Sequence, residues 1–159
     1  MRPIPLDPSH RARLVEHFRS LPYEQRYTRF LRNMTDDAIA AFVAHIDFER
    51  DMCLALPDVD GGIRGVVQIS PTSDGAAELA FSTAPSRQRH GIATMLGRLA
   101  IEYLVTRGTR EAIIYCALEN VAMRTVAEKL GFTQRIDGAE IVGRRLLGPP
   151  LSASAAPTP

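Results

Sequence analysis

The sequence has few of the features that mark specialised protein classes. Its two cysteines, Cys53 and Cys116, lie in apolar stretches without a CxxC partner or a nearby histidine, which predicts buried thiols and not a disulfide or a metal site. No apolar run approaches the ~20 residues of a membrane-spanning helix. Because Met1–Pro5 also lacks a hydrophobic signal core, the sequence predicts a cytoplasmic protein without a membrane partner.

Charge is nearly balanced over the whole chain but is distributed unevenly along it. A net charge of +1 argues against binding nucleic acid through phosphate neutralisation. Residues 1–34 carry seven arginines against three acids, residues 35–60 seven acids against one arginine, and residues 87–110 five arginines against one acid. This pattern suits an anionic cofactor and a cationic acceptor, although like-charged stretches are usually solvated surface. The four histidines show no metal-ligand spacing, so no metal is predicted.

The most informative stretch is a predicted strand, turn and helix. The strand is the apolar run Ala77–Thr83, and the helix follows from apolar residues at the spacing of one buried face: Ile92, Met95, Leu96, Leu99, Ala100, Tyr103 and Leu104. Small residues at the helix start leave backbone N–H groups accessible, which predicts an anion site. The alternative is an ordinary turn with exposed arginines. Neither Gly-x-x-x-x-Gly-Lys-Ser/Thr nor Gly-x-Gly-x-x-Gly is present.

The turn Gln88-Arg89-His90-Gly91-Ile92-Ala93 resembles the acyl-CoA pyrophosphate loop, Gln/Arg-x-x-Gly-x-Gly/Ala, of the GNAT superfamily of N-acyltransferases. A second β-type run, Ala112–Leu118, is followed by Asn120 and by a helix that ends in Gly131-Phe132, the order found in that superfamily. Two motifs in the right order are far more specific than either one alone. The resemblance extends over residues 62–147.

The resemblance implies a mixed α/β (α+β) fold: a largely antiparallel sheet of roughly six to seven strands, flanked by helices and splayed at its central strands to hold acyl-CoA. Residues 1–147 would form one domain, and residues 148–159 a disordered Ala/Pro-rich tail. The implied co-substrate is acetyl-CoA. The positions that match its binding residues are Phe81, Ser82, Thr83, Gln88, Arg89, His90, Gly91, Ile92, Ala93, Thr94 and Asn120.

Glu78 is the candidate catalytic residue because it interrupts a strand of small and apolar side chains. Burial in a covered strand would raise its pKa toward neutrality, which suits a general base that takes a proton from an attacking amine. Strand alternation places Glu78 on one face with Ala80 and Ser82. The alternative is a solvent-facing residue of a half-exposed strand. Protein-lysine acetyltransferases of the superfamily carry a strand glutamate at the position that Glu78 matches.

The acceptor is harder to predict. Leu21–Phe30 resembles the Leu-x-x-x-Ser-x-Tyr-x-Arg-Phe element of bacterial protein-lysine acetyltransferases, but without its serine. Many superfamily members have a proton-donating tyrosine seven residues after the asparagine, where this chain has Ala127. The CoA thiolate would then leave unaided, or would take a proton from water or from another group such as Tyr115. The resemblance implies acetylation of a cationic amine, with a protein lysine as the leading acceptor. A small-amine acetyltransferase and a non-catalytic acyl-CoA-binding regulatory domain remain alternatives, and no oligomeric state is predicted.

Overall fold

The computed structural model describes residues 1–148. Seven strands form one sheet in the spatial order β1-β2-β3-β4-β5-β7-β6, and every neighbouring pair is antiparallel except β4 and β5. The strands are β1 Ile4–Pro5, β2 Met52–Pro57, β3 Ile63–Pro71, β4 Ala76–Thr83, β5 Glu111–Ala117, β6 Thr133–Asp137 and β7 Glu140–Leu146. The predicted fold class, a mixed and largely antiparallel sheet with flanking helices, is confirmed.

Among the described residues, five helices accompany the sheet, and polar side chains cap two of them and a short 3-10 turn. Asp7 accepts a hydrogen bond from the backbone N–H of Ser9 and starts a short 3-10 turn ahead of α1, Thr35 caps α3, and Asn120 caps α5. The helices are α1 Arg11–Ser20, α2 Tyr23–Phe30, α3 Asp36–Ala44, α4 Ile92–Thr106 and α5 Val121–Lys129.

The two faces of the sheet carry separate apolar cores. Alternate residues of β2 and β3, including Cys53 and Val66, pack against Leu14, Phe18 and other apolar residues of α1 and α3. The opposite face packs against α4 and α5 through residues of β3, β4 and β5, among them Val67, Leu79, Phe81 and Ile114. The helices that follow β4 therefore lie on one side of the sheet, and the N-terminal helices lie on the other.

The ladder between β4 and β5 is short. It joins Ala76 to Glu111, Ala77 to Ala112 and Glu78 to Ile113, and then it stops. β4 remains paired with β3 as far as Thr83, and β5 remains paired with β7 as far as Ala117. The two central strands therefore separate beyond Glu78 and leave a wedge-shaped gap, which is the predicted splay.

Two local features differ from what apolar side chains alone would suggest. Tyr27 lies among the apolar positions of α2, yet it remains 43% exposed. The edge strand β1 consists of Ile4 and Pro5 alone. The predicted tail lies outside the described residues apart from Gly148. Within residues 1–148, no helix is long and apolar enough to cross a membrane.

Candidate active site

Among the described residues, the wedge between β4 and β5 has two unpaired backbone edges, because past Glu78 each strand has a partner only on its outer side. The predicted cofactor residues Phe81, Ser82 and Thr83 lie on the β4 edge, past the last β4–β5 pair. The Phe81 side chain is buried against α4, so an extended amide-containing ligand in the wedge would meet the backbone of these residues, as in the addition of a strand to a sheet.

The predicted anion site lies between β4 and α4 and is held open by unusual backbone geometry. Arg89 and Gly91 both have left-handed conformations, with φ of 64° and 74°, and Gly91 is the N-cap of α4 without a side-chain cap. A residue other than glycine rarely adopts this conformation, and such strain gathers at ligand sites. Gln88, Arg89, His90 and Gly91 are exposed, whereas Ile92 is buried in the core and Ala93 and Thr94 are half-buried.

Arg64 was not predicted from sequence, but it joins this site. A cavity of about 290 Å³ lies at the start of α4 and is lined by Arg64, Arg87, His90 and Gly91 together with three apolar residues. The Nε of Arg64 is buried without a hydrogen-bond partner among the described residues. An unpaired buried donor of positive charge suits an anionic ligand.

Asp58 also lies at the anion site, which differs from the position that its charge pattern suggested. The charge pattern assigned it to the acidic region that would face a cationic acceptor. Instead its carboxylate accepts hydrogen bonds from Arg87 at 2.9 Å and from Arg64 at 3.2 Å. The Val59 backbone N–H and these two guanidinium groups hold the pKa of Asp58 below its ordinary value. Asp58 therefore orients the two arginines of the anion site.

Glu78 lies at the apex of the wedge, in the last residue pair that joins β4 to β5. It is half-buried and faces the α1–α3 side of the sheet, opposite Ser70 of β3. Burial raises the pKa of Glu78 above its ordinary value, the Arg29 charge lowers it, and the Asp51 charge raises it further. A carboxylate with a raised pKa can exchange protons closer to neutral pH than an ordinary glutamate can.

A second cavity, of about 720 Å³, opens on the same face of the sheet. Its polar floor is formed by Asp51, Gln68 and Ser70, and Ser70 is the residue directly opposite Glu78. Its other lining residues come from the α2–α3 loop, from α3 and from the turn after it: Arg32, Asn33, Met34, Ala38, Ala41, Phe42, His45, Ile46, Asp47 and Arg50. This cavity adjoins the candidate base on the side away from the α4–α5 core.

His17 makes a buried contact that the sequence analysis did not predict. Its Nδ1 lies 3.1 Å from the carbonyl oxygen of Ile63, and its Nε2 lies 2.7 Å from Oγ of Ser82. A carbonyl can only accept, so Nδ1 carries the proton and Nε2 accepts from the Ser82 hydroxyl. Burial lowers the pKa of His17 to about 4, and the neutral ring ties α1 to the strand that carries Glu78.

Three residues on or after β5 bear on the predicted cofactor and acid roles: Tyr115, Asn120 and Ala127. Oδ1 of Asn120 accepts from the Met123 backbone N–H at 3.1 Å, so the cap uses the oxygen and only the side-chain nitrogen is available as a donor to a ligand. Tyr115 is exposed and shares a face with Ile113, hence with Glu78 across the ladder. Ala127 is buried in the core and supplies no proton donor.

The polar floor of the larger cavity had a sequence signal that went unused. Gln68 interrupts the apolar run Val66-Val67-Gln68-Ile69 just as Glu78 interrupts its own strand, and it is only 8% exposed. The same criterion that selected Glu78 would have selected Gln68. Arg29 stands among aromatic residues of α2, and its burial depends on packing that no local pattern reveals.

Comparisons with known proteins agree with this geometry. The model of the acetyltransferase (GNAT) domain family matches residues 2–133. No curated protein sequence matches the chain.

Among solved structures, the GNAT domain of S. lividans PAT superposes with a TM-score of 0.77 at 22% identity, covering 91% of this chain and 89% of that one. Spermidine N-acetyltransferase from Vibrio cholerae, solved with CoA and spermine, gives 0.68 at 18% identity over 91% and 94%. Ribosomal-protein-S5-alanine acetyltransferase from Vibrio fischeri gives 0.71 at 14% over 91% of each. The structural likenesses show the fold, and the family match shows that this chain belongs to the GNAT acetyltransferases.

Proposed function

We propose that this enzyme transfers the acetyl group of acetyl-CoA to an amine, with a protein lysine side chain as the leading acceptor and Glu78 as the general base. The observation that carries the proposal is the end of the β4–β5 ladder at Glu78 and Ile113, which puts a half-buried carboxylate at the apex of the wedge. GNAT acetyltransferases use acetyl-CoA, and the site offers groups suited to each part of it.

The anion site suits the diphosphate. Backbone N–H groups at the start of α4 and the unpaired Nε of Arg64 are donors for phosphate oxygens. The unpaired edges of β4 and β5 offer hydrogen bonds to the amides of the pantetheine arm, and the side-chain nitrogen of Asn120 is a further donor. Bound acetyl-CoA supplies the thioester carbonyl that the amine attacks.

Glu78 removes the proton that the amine must lose. The carboxylate takes a proton from the acceptor ammonium, which frees the nitrogen lone pair to attack the thioester carbonyl carbon. The tetrahedral adduct then collapses: the carbon–sulfur bond breaks to release the CoA thiolate, and the nitrogen loses its second proton to solvent. Tyr115 is our candidate for protonating this thiolate, because it lies on the β5 edge of the wedge and on the Glu78 face. Water is the other candidate, since Tyr115 is exposed.

Two alternatives remain for the biological role. A small polyamine acceptor is favoured by the likeness to a spermidine N-acetyltransferase and by the carboxylates of Asp47 and Asp51 at the larger cavity. A non-catalytic acyl-CoA-binding domain is favoured by Ala127, which replaces the usual acid. The three readings differ in which acceptor, if any, is turned over.

Substituting Gly91 by valine should weaken acetyl-CoA binding at least tenfold, about 1.4 kcal/mol. A Cβ at Gly91 would meet no protein atom within 4 Å, so it would project into the space that the diphosphate needs. Isothermal titration with acetyl-CoA measures the change directly. Binding as tight as wild type in a folded variant would contradict the proposed cofactor site.

Gly108 provides a matched control at the other end of the same helix. It has the same φ of 74°, and a Cβ there would also meet nothing within 4 Å. Gly108→Val therefore introduces the same backbone strain far from the anion site. We expect the two variants to lose similar thermal stability, and only Gly91→Val to lose affinity.

Acetylation of a cationic acceptor should slow as salt is added. Asp47 lines the larger cavity, so its charge would steer a lysine or polyamine toward Glu78, and added ions would screen that attraction. We expect kcat/KM for a lysine peptide to fall with ionic strength, and Asp47→Asn to lower kcat/KM and flatten that dependence with little effect on kcat. Steady-state assays with a lysine peptide, spermidine and a neutral amine measure this.

Asp60 is the control for this experiment because it lies in the β2–β3 hairpin loop, where its carboxylate accepts from the Gly62 backbone N–H. Asp60→Asn should leave the salt dependence at the wild-type level. A rate indifferent both to salt and to Asp47 would contradict a cationic acceptor and would favour an amine that is neutral or anionic overall. Preference for spermidine over every lysine peptide would favour the polyamine alternative.

A further inference from the structure

Arg29 of α2 is half-buried and packs against aromatic rings on the α1–α3 face of the sheet. Its guanidinium carbon lies 4.6 Å from the ring centre of Phe30, 5.3 Å from that of Phe18 and 5.7 Å from that of Phe42. The Nε is buried and has no hydrogen-bond partner among the described residues. A cation in such an environment is costly unless opposite charge lies nearby, so its position calls for a physical reason.

Gln68 links this guanidinium to a buried carboxylate. Arg29 donates from Nη2 to Oε1 of Gln68 at 2.9 Å, and Nε2 of Gln68 donates to Oδ2 of Asp51 at 2.9 Å. Asp51 is only 6% exposed and also accepts from Ser70 at 3.1 Å. The Gln68 amide is thereby fixed in orientation at both ends.

This chain of contacts runs beside Glu78. Gln68 and Ser70 lie on the same face of β3, and across the ladder Gln68 faces Ala80 while Ser70 faces Glu78. Two charged groups act on Glu78: Arg29, which belongs to α2, and Asp51, which is the residue before β2. The other neighbours across the sheet, Ser70 and Ile113, carry no charge, and His17 on α1 is neutral at pH 7.

We propose that Arg29 is a positioning residue for the proposed base: its guanidinium, fixed by three phenylalanine rings and by Gln68, supplies the counter-charge that keeps the Glu78 carboxylate ionised when substrates exclude water from the wedge. Attraction between the two charges strengthens as the surrounding dielectric falls. Asp51 acts in the opposite sense, because its negative charge disfavours ionisation of Glu78. The inference rests on the proposed role of Glu78 and assigns a task to a residue outside the wedge.

The test is the pH dependence of kcat/KM in three variants. The acid limb of this profile reports protonation of the essential base in the free enzyme, and the acid limb of the kcat profile, measured alongside, reports it in the complex where substrates exclude water. Arg29→Met removes the charge but leaves an apolar side chain suited to the aromatic surroundings, and it should move the acid limb upward by about one pH unit. Arg29→Lys keeps the charge and should restore the limb to near its wild-type position. Asp51→Asn should move it downward.

The expected shifts of the acid limb in Arg29→Met and Asp51→Asn have opposite directions, which separates a charge effect from structural damage. Damage lowers the rate at every pH and leaves the limb where it was, and that result in a folded Arg29→Met would overturn the inference. If Arg29→Met does not fold, as judged by circular dichroism, Arg29→Gln takes its place: the same upward shift is expected, and an unmoved limb would again overturn the inference. Wild-type activity in Glu78→Gln would instead refute the proposed function, because the acid limb would then belong to another group.

Discussion

Glu78→Gln should lower kcat by a factor on the order of 10²–10⁴ at every pH while leaving acetyl-CoA affinity unchanged. An amine with a pKa near 10.4 is neutral in only about one molecule in a thousand at pH 7.4, equivalent to roughly 4 kcal/mol of barrier. In the mechanism we propose, the half-buried carboxylate at the end of the β4–β5 ladder removes that proton, whereas a glutamine amide of nearly the same shape cannot.

The pH profile of wild-type activity should also have an acid limb that is missing from the profile of Glu78→Gln. Burial raises the pKa of Glu78, and a base works only when ionised, so wild-type activity should fall as the pH is lowered through this raised pKa. In Glu78→Gln that acid limb should vanish. Initial rates from pH 5 to pH 9, with acetyl-CoA affinity measured by calorimetry, provide both readouts.

Glu102 offers a matched control. It is an exposed residue of α4, so Glu102→Gln removes the same charge away from the wedge and should keep the wild-type rate. Turnover by Glu78→Gln at the rate of Glu102→Gln would remove the base assignment. A wild-type protein that binds acetyl-CoA but acetylates no amine would favour the regulatory alternative.

Stability should fall by roughly 3 kcal/mol between pH 6.5 and pH 4 because of His17 alone. The folded-state pKa of about 4 lies below the ordinary value of 6.5. Above pH 6.5 the ring is neutral in both states and contributes no pH dependence. As the pH falls, the unfolded chain binds a proton that the folded protein does not, which favours unfolding until the folded pKa is reached.

The measurement is the free energy of unfolding from urea titrations at several pH values in this window. His17→Gln should be less stable than wild type at pH 7, because the contacts with Ile63 and Ser82 are altered, but its stability should depend less on pH. His90 is exposed, and His90→Gln should keep the wild-type slope. Equal slopes in all three proteins would show that His17 is protonated equally in both states.

The sequence predicted the elements that carry a periodic signal. The apolar spacing that follows Gly91 indicated α4, and alternation in β4 correctly placed Glu78 and Ser82 on one face. Such predictions succeed because burial of one face imposes a period of 3.6 or 2 residues on the chain. The splay between β4 and β5 came instead from the resemblance to the GNAT superfamily.

Contacts between distant residues could not be predicted in this way. His17 and Ser82 are separated by 65 positions, Arg29 and Gln68 by 39, and Asp58 and Arg87 by 29. Each pair forms only because a helix or hairpin packs on the sheet in one register, and no local pattern encodes that register. Asp58 therefore looked like part of an acceptor region, although it holds two arginines at the anion site.

The short β4–β5 ladder also divides the sheet mechanically. Strands β1–β4 form one continuously paired half and strands β5–β7 another, and only three residue pairs join the halves within the sheet. Within the described sheet, few backbone hydrogen bonds therefore resist a change in the angle between the halves, and the packing of α4 and α5 across the junction on one face provides the remaining restraint. Opening or closing about this hinge changes the width of the wedge while leaving the pairing inside each half intact.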